Sequence, residues 1–281
     1  MAAGPRRALG ALNARGGIAG ASIRPRLGAF IAGRGARPPI GRFDMDTLGH
    51  ILAPEGCLRV ALNLGNRALV QPLASGGHGG VAPALAVRLA GELDVALEFL
   101  TYEGAGAVTR AAGRGAWSVG FLAIDPERSD IVAYTAPYVL IESTYAVRRS
   151  GAIGCIADVD RPGRRILAAR GSAYELHLAR TLVGADLLRE ASPAASMAAF
   201  AAGEADAVAG VRQSLESYFA GDERFIVLPG RVAAIEQAMA VPLALEAAVP
   251  ALGDFVARAK ASGFVREALD RSGQAGLPVA P

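Results

Sequence analysis

Short apolar runs alternate with helix-length segments along the chain after residue 57. Apolar runs of four to eight residues indicate strands, and apolar positions spaced three or four apart indicate helices. Strands that alternate with helices pair in parallel through right-handed crossovers. The first part of the chain is therefore predicted to form a β-α-β-α-β unit, after a short helix starting near Met45, with its elements at residues 58–64, 81–91, 96–102, 105–113 and 117–124.

A second α/β unit is predicted further along the chain. Residues 139–147 have the pattern of an extended strand and would carry the chain across to it, residues 227–240 would carry it back, and a closing helix is expected at 250–273. Elements of the second unit are expected at 156–159, 165–169, 173–182, 192–203 and 205–211. We therefore expect two lobes, with lobe one discontinuous at 58–142 and 232–281 and lobe two at 143–231.

The segment from Phe121 to Tyr138 has the most informative pattern in the chain. A buried strand gives way abruptly to Asp125, Pro126, Glu127 and Arg128. Proline after aspartate disfavours continuation of the strand into a helix at that point, and charged residues suit a first helical turn. Arg128 would then stand at the carboxyl end of a strand, where open α/β sheets bind ligands.

These residues resemble those of a known family. The turn Ile-Asp-Pro-Glu-Arg, followed by Tyr-Thr-Ala-Pro-Tyr at 134–138, is similar to the signature of bacterial extracellular solute-binding proteins of family 3, the substrate-binding proteins of amino-acid-type ABC importers. The resemblance spans about residues 58–272 and implies the two-lobed, type II periplasmic-binding-protein-like α/β fold, with lobes joined by two crossover strands. It also implies that Arg128 holds a ligand carboxylate with its planar guanidinium.

The resemblance also locates other ligand contacts, and one position departs from it. Amino-acid binders of this family hold the ligand ammonium with an aspartate where this chain has Val211. We therefore expect ordinary amino acids to bind poorly, and a ligand with a second acidic or hydrogen-bonding end to bind better. The expected ligand-binding residues follow predicted strands or lie in the crossover: Asn63, Asn66, Ala123, Arg128, Glu142, Arg170, Ser172, Arg212 and Gln213.

Several of these residues also have ordinary structural explanations. Asn63 and Asn66 flank Gly65 and would suit a turn. Ser172 would cap the helix that follows it. Glu142 would partner an arginine, receive a ligand ammonium, or lie exposed on an edge strand.

Residues 1–44 differ in composition from the rest of the chain. They contain eight of the 29 basic residues and one of the 26 acidic residues, with many Gly, Ala and Pro, so we expect a disordered extension. The remaining chain has 21 basic and 25 acidic residues, or about −4. The basic pI of 9.1 therefore belongs to the extension, and we expect no nucleic-acid partner.

The extension also bears on the compartment. Its apolar stretches are interrupted by arginines, so no signal peptide is recognisable, and Met45 is expected to be the true start. The family resemblance implies a periplasmic protein, whereas the missing signal leaves a cytoplasmic one open.

The function expected from these observations is solute capture for an ABC importer. The ligand would be a small carboxylate or amino-acid-like molecule, the protein a monomer, and ABC permease subunits its partners. No cofactor or metal is expected, because two cysteines and three scattered histidines form no ligand cluster. The alternatives are a ligand-sensing domain or an enzyme similar to cyclohexadienyl and arogenate dehydratases, in which Glu142 would act as a general acid.

Overall fold

A computed structural model describes residues 45–281 of the chain. The expected disorder of the extension therefore falls outside the described residues. Eight α-helices are present in the described part: α1 (Met45–Leu52), α2 (Val81–Leu93), α3 (Ala105–Ala112), α4 (Ala173–Thr181), α5 (Pro193–Ala202), α6 (Arg212–Tyr218), α7 (Val249–Ala261) and α8 (Phe264–Arg271).

Within residues 45–281, nine strands form one mixed sheet, and two short strands form a separate hairpin. The order across the large sheet is β4-β1-β5-β11-β6-β9-β7-β8, with β10 paired to β6, and β2 pairs with β3 in the hairpin. The strands are β1 (Cys57–Asn63), β2 (Gln71–Pro72), β3 (His78–Gly79), β4 (Ala96–Tyr102), β5 (Val119–Ala123), β6 (Val132–Arg148), β7 (Arg165–Ala169), β8 (Asp186–Glu190), β9 (Ala207–Val211), β10 (Phe225–Val227) and β11 (Ala233–Pro242).

The sheet has two parallel halves joined by antiparallel strands. Strand β1 pairs in parallel with β4 and β5, and β7 pairs in parallel with β8 and β9. Between these halves, the long strands β6 and β11 run antiparallel to each other and to their outer neighbours. We call the part around β4, β1 and β5 the first lobe, and the part around β9, β7 and β8 the second lobe.

Hydrogen bonding continues from one half of the sheet to the other through the two crossover strands. Residues 132–143 of β6 pair with β11, and residues 143–147 pair with β9. The change of partner along β6 therefore locates the crossover, but the hydrogen bonding does not divide the strands into two separate sheets. The predicted residue boundaries of the lobes stay a prediction.

Local sequence explains where most elements begin and end. Ser192 caps α5, because its side chain accepts a hydrogen bond from the Ala195 N–H, and Pro193 occupies the first helical turn. The single closing helix predicted at 250–273 is wrong. Gly263 adopts a left-handed conformation with φ of 78°, which ends one helix and begins the next, so the segment forms α7 and α8.

The hydrophobic core extends under both lobes. Trp117 is fully buried in the first lobe, where its indole N–H donates to the Val108 carbonyl at 3.0 Å. Phe200 packs against Phe219 and Phe225 in the second lobe. Within residues 45–281, no helix combines the length and apolar character needed to cross a membrane.

Candidate functional site

The turn after β5 begins where the apolar strand meets charged residues. Asp125 is extended, and its side chain accepts a hydrogen bond from the Glu127 N–H at 3.0 Å. Pro126 fixes the first position of the short 3-10 helix Pro126–Arg128. The turn predicted from the sequence is therefore present, and it places Arg128 beyond the carboxyl end of β5.

Arg128 is buried and connects the two lobes. Only 3% of the Arg128 surface is exposed to solvent. One terminal nitrogen donates to the Ala123 carbonyl at 2.7 Å, within the first lobe. The other donates to the Gly171 carbonyl at 2.9 Å, in the loop after β7 of the second lobe. The guanidinium thus lies at the interface between the lobes, and Ala123 contributes to this arrangement through its backbone oxygen.

Tyr134 lies beside this guanidinium. Burial raises the pKa of the Tyr134 hydroxyl, and the positive charge of Arg128 opposes that rise. The tyrosine therefore remains a neutral donor and acceptor at physiological pH, next to a buried cation.

The buried ionisable side chains differ in their partners. Asp125 is 4% exposed and pairs with Arg180, and Glu175 is 3% exposed and pairs with Arg189. Arg128 contacts carbonyl oxygens but forms no ion pair within residues 45–281. A buried charge without a counter-ion is costly, so the Arg128 site favours an anion.

The Gly171 peptide is held from both sides. Its carbonyl accepts from Arg128, and its N–H donates to the Glu175 carboxylate at 2.9 Å. Glu175 in turn accepts from Arg189 at 2.7 Å. Ser172 caps α4 by accepting from the Glu175 N–H at 3.2 Å, so its hydroxyl oxygen serves the structural role considered for it.

The loops of the two lobes approach each other closely near this peptide. A Cβ atom on Gly106, in the first turn of α3, would lie 2.6 Å from the Arg170 carbonyl oxygen. Gly65, after β1, lies against Pro193 at the start of α5. Only a residue without a side chain allows this approach of α3 to the loop after β7.

The loop after β1 is tied to the second lobe through Ser214. The Ser214 hydroxyl donates to the Gly65 carbonyl at 2.9 Å and accepts from the Arg67 N–H at 3.1 Å. Asn66 lies between these two contacts and is 6% exposed. Asn63 accepts from the Gly65 N–H at 3.1 Å, as expected for a turn residue, so its side-chain oxygen is already engaged.

Two other predicted site residues, Arg212 and Glu142, have their contacts away from Arg128. Arg212 donates to Glu142 at 3.4 Å and to the carbonyls of Leu228 and Gly230, so its donors face the crossover. The Glu142 side chain is 42% exposed and also lies 3.8 Å from an Arg231 nitrogen. These contacts correspond to the structural explanation in which Glu142 partners an arginine.

Gln213 and Arg170 differ from each other in burial. The Gln213 side-chain oxygen is buried and has no hydrogen-bond partner within the described part of the chain. Arg170 is exposed, and its backbone N–H donates to the Glu190 carbonyl at 2.8 Å. The structure therefore buries the side-chain oxygen of Gln213 and leaves Arg170 exposed.

A third connection between the lobes, made by Arg180, was not anticipated from the sequence. Arg180, in α4, donates to Asp125 at 3.3 Å and to Glu127 at 2.7 Å, in the turn that carries Arg128. These two acceptors raise the pKa of the Arg180 guanidinium. The acidic turn residues offered a signal, since buried carboxylates need cationic partners. Nothing in the sequence identified which arginine would supply the charge.

Within residues 45–281, no group of three His, Cys, Asp or Glu side chains is arranged to hold a metal ion. Cys57 and Cys155 are both free thiols, and burial raises the pKa of Cys57.

Comparison with known proteins gives matches among solved structures. No family model matches the chain, and no curated protein matches it. A solute receptor for L-cysteine from Neisseria gonorrhoeae is 19% identical, with a TM-score of 0.70, covering 83% of this chain and 99% of that one. A cysteine-binding protein from Campylobacter jejuni is 18% identical, with a TM-score of 0.69 and coverages of 81% and 92%.

A third similar structure is an amino acid ABC transporter substrate-binding protein from Streptococcus pneumoniae bound to L-arginine. It is 18% identical, with a TM-score of 0.69, and the match covers 80% of this chain and 97% of that one. Such low identities establish the fold alone. The chain therefore has the two-lobed, periplasmic-binding-protein-like α/β fold of amino-acid ABC transporter substrate-binding proteins, and the fold predicted from the sequence is confirmed.

Proposed function

We propose that this protein captures a small solute bearing a carboxylate between its two lobes, as the substrate-binding protein of an ABC-type importer. The carboxylate would occupy the interface beside Arg128, with the guanidinium as its counter-ion. The structurally similar proteins named above bind cysteine or arginine, which supports a small solute as the ligand.

The observation that carries the proposal is the unpaired charge of Arg128. Asp125 and Glu175 each have an arginine partner, whereas the equally buried Arg128 contacts only neutral groups. A carboxylate would supply the missing charge and accept charge-assisted hydrogen bonds from the planar guanidinium. For that contact, the lobes would have to separate enough for the carboxylate to replace the Gly171 carbonyl as an acceptor.

Calorimetry with Arg128→Lys tests this role. Binding should first be sought with a thermal-shift screen of monocarboxylates, dicarboxylates and amino acids. For any acid that binds the parent protein, Arg128→Lys should weaken the binding free energy by about 1.5–3 kcal/mol. The reason is that the single ammonium of lysine cannot reproduce the two parallel hydrogen bonds of a planar guanidinium. Arg224→Lys is a matched control, since the Arg224 side chain is 74% exposed and pairs with Asp222.

The outcome against the proposal is equally specific. Circular dichroism would establish that the Arg128→Lys protein is folded. Unchanged affinity in a folded variant would remove Arg128 from the site, and a screen in which no acid stabilises the parent protein would contradict carboxylate capture.

The contacts of Glu142 favour binding over the dehydratase alternative. A general acid of that kind needs an apolar cleft that holds its proton. Glu142 is instead substantially exposed and lies near the positive charges of Arg212 and Arg231. Incubation with prephenate and arogenate, followed by product absorbance, tests the enzyme directly. Turnover that Glu142→Gln abolishes would overturn the binding function.

The compartment and the partners belong to the same proposal. A substrate-binding protein of an importer would meet ABC permease subunits, and its periplasmic location and monomeric state are further parts of the proposal. Pull-down of the native protein tests the permease partners, fractionation of cells tests the periplasmic location, and light scattering tests the monomeric state.

A further inference from the structure

Two residues that adjoin the same connection between the lobes have buried carboxamide oxygens. Ser214 joins the lobes through Gly65 and Arg67. Asn66 lies between those two residues in the first lobe, and Gln213 directly precedes Ser214 in the second. The side-chain oxygens of Asn66 and Gln213 are both inaccessible to solvent and have no hydrogen-bond partner within residues 45–281.

Each of these two oxygens lacks a hydrogen-bond donor in the described part of the chain. Buried polar atoms in folded proteins are almost always paired, and an unpaired one deserves a specific explanation. The two acceptors belong to residues of opposite lobes that adjoin the contacts of Ser214, so a group bound at this connection would lie near both residues. A ligand that donates a hydrogen bond at this place would satisfy atoms that the protein leaves unpaired.

The charges at the interface restrict what that donor can be. Arg128 is the one buried cation without a carboxylate partner in the described chain, so a ligand with one negative charge balances it. A ligand ammonium would add a further positive charge beside neutral carboxamide groups. Asp125 and Glu175 are already paired with arginines and are not free to neutralise it.

A second ligand carboxylate is equally disfavoured. A carboxylate has no hydrogen to donate, so it would leave the side-chain oxygens of Asn66 and Gln213 unpaired. Arg212, which the sequence suggested as its partner, directs its donors to Glu142 and to two backbone carbonyls. The second polar end of the ligand therefore has to be uncharged.

We propose that the ligand is a monocarboxylate carrying an uncharged hydrogen-bond donor, a hydroxyl or a primary amide. The carboxylate pairs with Arg128, and the neutral donor is held by the side-chain oxygens of Asn66 and Gln213. This inference rests on the proposed function and deepens it. It distinguishes this chain from the structurally similar proteins that bind cysteine or arginine, both of which carry an ammonium group.

Matched acids that differ in one group test the inference. One series is propionate, lactate and alanine, another is 3-phenylpropionate, 3-phenyllactate and phenylalanine, and the pair succinate and succinamate compares a second carboxylate with an amide. Affinities are measured by calorimetry at one pH and salt concentration. In at least one series, the hydroxy acid or amide should bind at least about tenfold tighter than its counterparts.

Two nearly isosteric variants identify the residues responsible. Asn66→Leu and Gln213→Met each remove the carboxamide and keep a similar volume. Each should lower the affinity for the hydroxy acid or amide several-fold more than the affinity for the unsubstituted acid. Arg128→Lys should instead weaken all members of a series by a similar factor, because all of them carry the carboxylate.

The outcomes separate this inference from the proposed function. Acids that bind with no preference for the neutral donor, or with the amino acid tightest in its series, would overturn the inference and leave solute capture intact. Equal losses across a series in Asn66→Leu and Gln213→Met would also overturn it. If no acid binds at all, the proposed function fails and this inference falls with it.

Discussion

Replacing Gly106 with alanine should impair the approach of the two lobes without weakening the first lobe itself. The added Cβ would lie 2.6 Å from the Arg170 carbonyl oxygen and 3.4 Å from the Gly171 Cα. Both neighbours are backbone atoms, so neither can rotate away as a side chain would. The second lobe would have to shift, and contact between Arg128 and Gly171 would be strained.

The size of the effect follows from two opposing terms. Overpacking of this kind costs typically about 1–3 kcal/mol, which corresponds to a change of about 5- to 150-fold in the balance between closed and separated lobes. Alanine also stabilises a helix relative to glycine by up to about 1 kcal/mol, and Gly106 lies in α3. Thermal stability of the first lobe should therefore be retained while closure weakens.

Small-angle scattering and calorimetry measure the two terms separately. Gly106→Ala should increase the radius of gyration and weaken the binding of any acid that binds the parent protein. Gly91→Ala is the matched control, because Gly91 also lies in a helix and has no atom within 4 Å of an added Cβ. Scattering and affinity for Gly106→Ala equal to those of Gly91→Ala would refute the reasoning.

Two further predictions concern ion pairs and pH. Arg180→Gln should lower the free energy of unfolding by about 1–2 kcal/mol in urea titrations, because Asp125 would lose its cationic partner. Arg271→Gln removes an exposed ion pair and should lower it by less than about 0.5 kcal/mol. Equal effects of the two substitutions would contradict this prediction. The pKa of Asp160 lies below its usual value because its carboxylate accepts hydrogen bonds from the backbone N–H groups of Val183, Ala185 and Gly184. The stabilising effect of the Asp160 carboxylate should be complete above about pH 4 and lost as the pH falls through the lowered pKa. The difference in thermal stability between the parent protein and Asp160→Asn should therefore shrink in melts at acid pH. A difference that stays constant with pH would show that the carboxylate charge has no such role.

The pattern of apolar residues along the sequence located most of the central strands, because these strands are buried and bounded by turns. Strands β4 and β7 match the predicted ranges 96–102 and 165–169. Strand β8 was missed, since an edge strand with the sequence Asp-Leu-Leu-Arg-Glu is only partly buried and carries charges. Helix α6 was missed as well, because it follows β9 directly and has no side-chain cap to mark its start.

The candidate site was only partly predictable for a different reason. The turn before Arg128 is encoded by adjacent residues, so a local pattern identified it. The contacts of Arg128 with Gly171 and of Arg212 with the Gly230 carbonyl join residues far apart in sequence. Local patterns therefore do not distinguish an arginine at the lobe interface from one bound to the crossover.

The irregular register of β11 has a mechanical consequence. Its pairing with β6 shifts between Gln237 and Ala238 and again between Ala238 and Ala240. Bulges of this kind bend a strand and increase its local twist. Residues 237–240 also pair with β5, so the bend is anchored on the side of the first lobe. Flexure of the crossover ribbon should therefore concentrate just beyond this anchored bend, at residues 233–235, which pair with β6 and lie outside the β5 ladder, and the second lobe would rotate about them as a nearly rigid body. A fluorophore pair attached across the lobe rims would report that rotation as a change in energy transfer, and substitutions next to the bulge should change its amplitude.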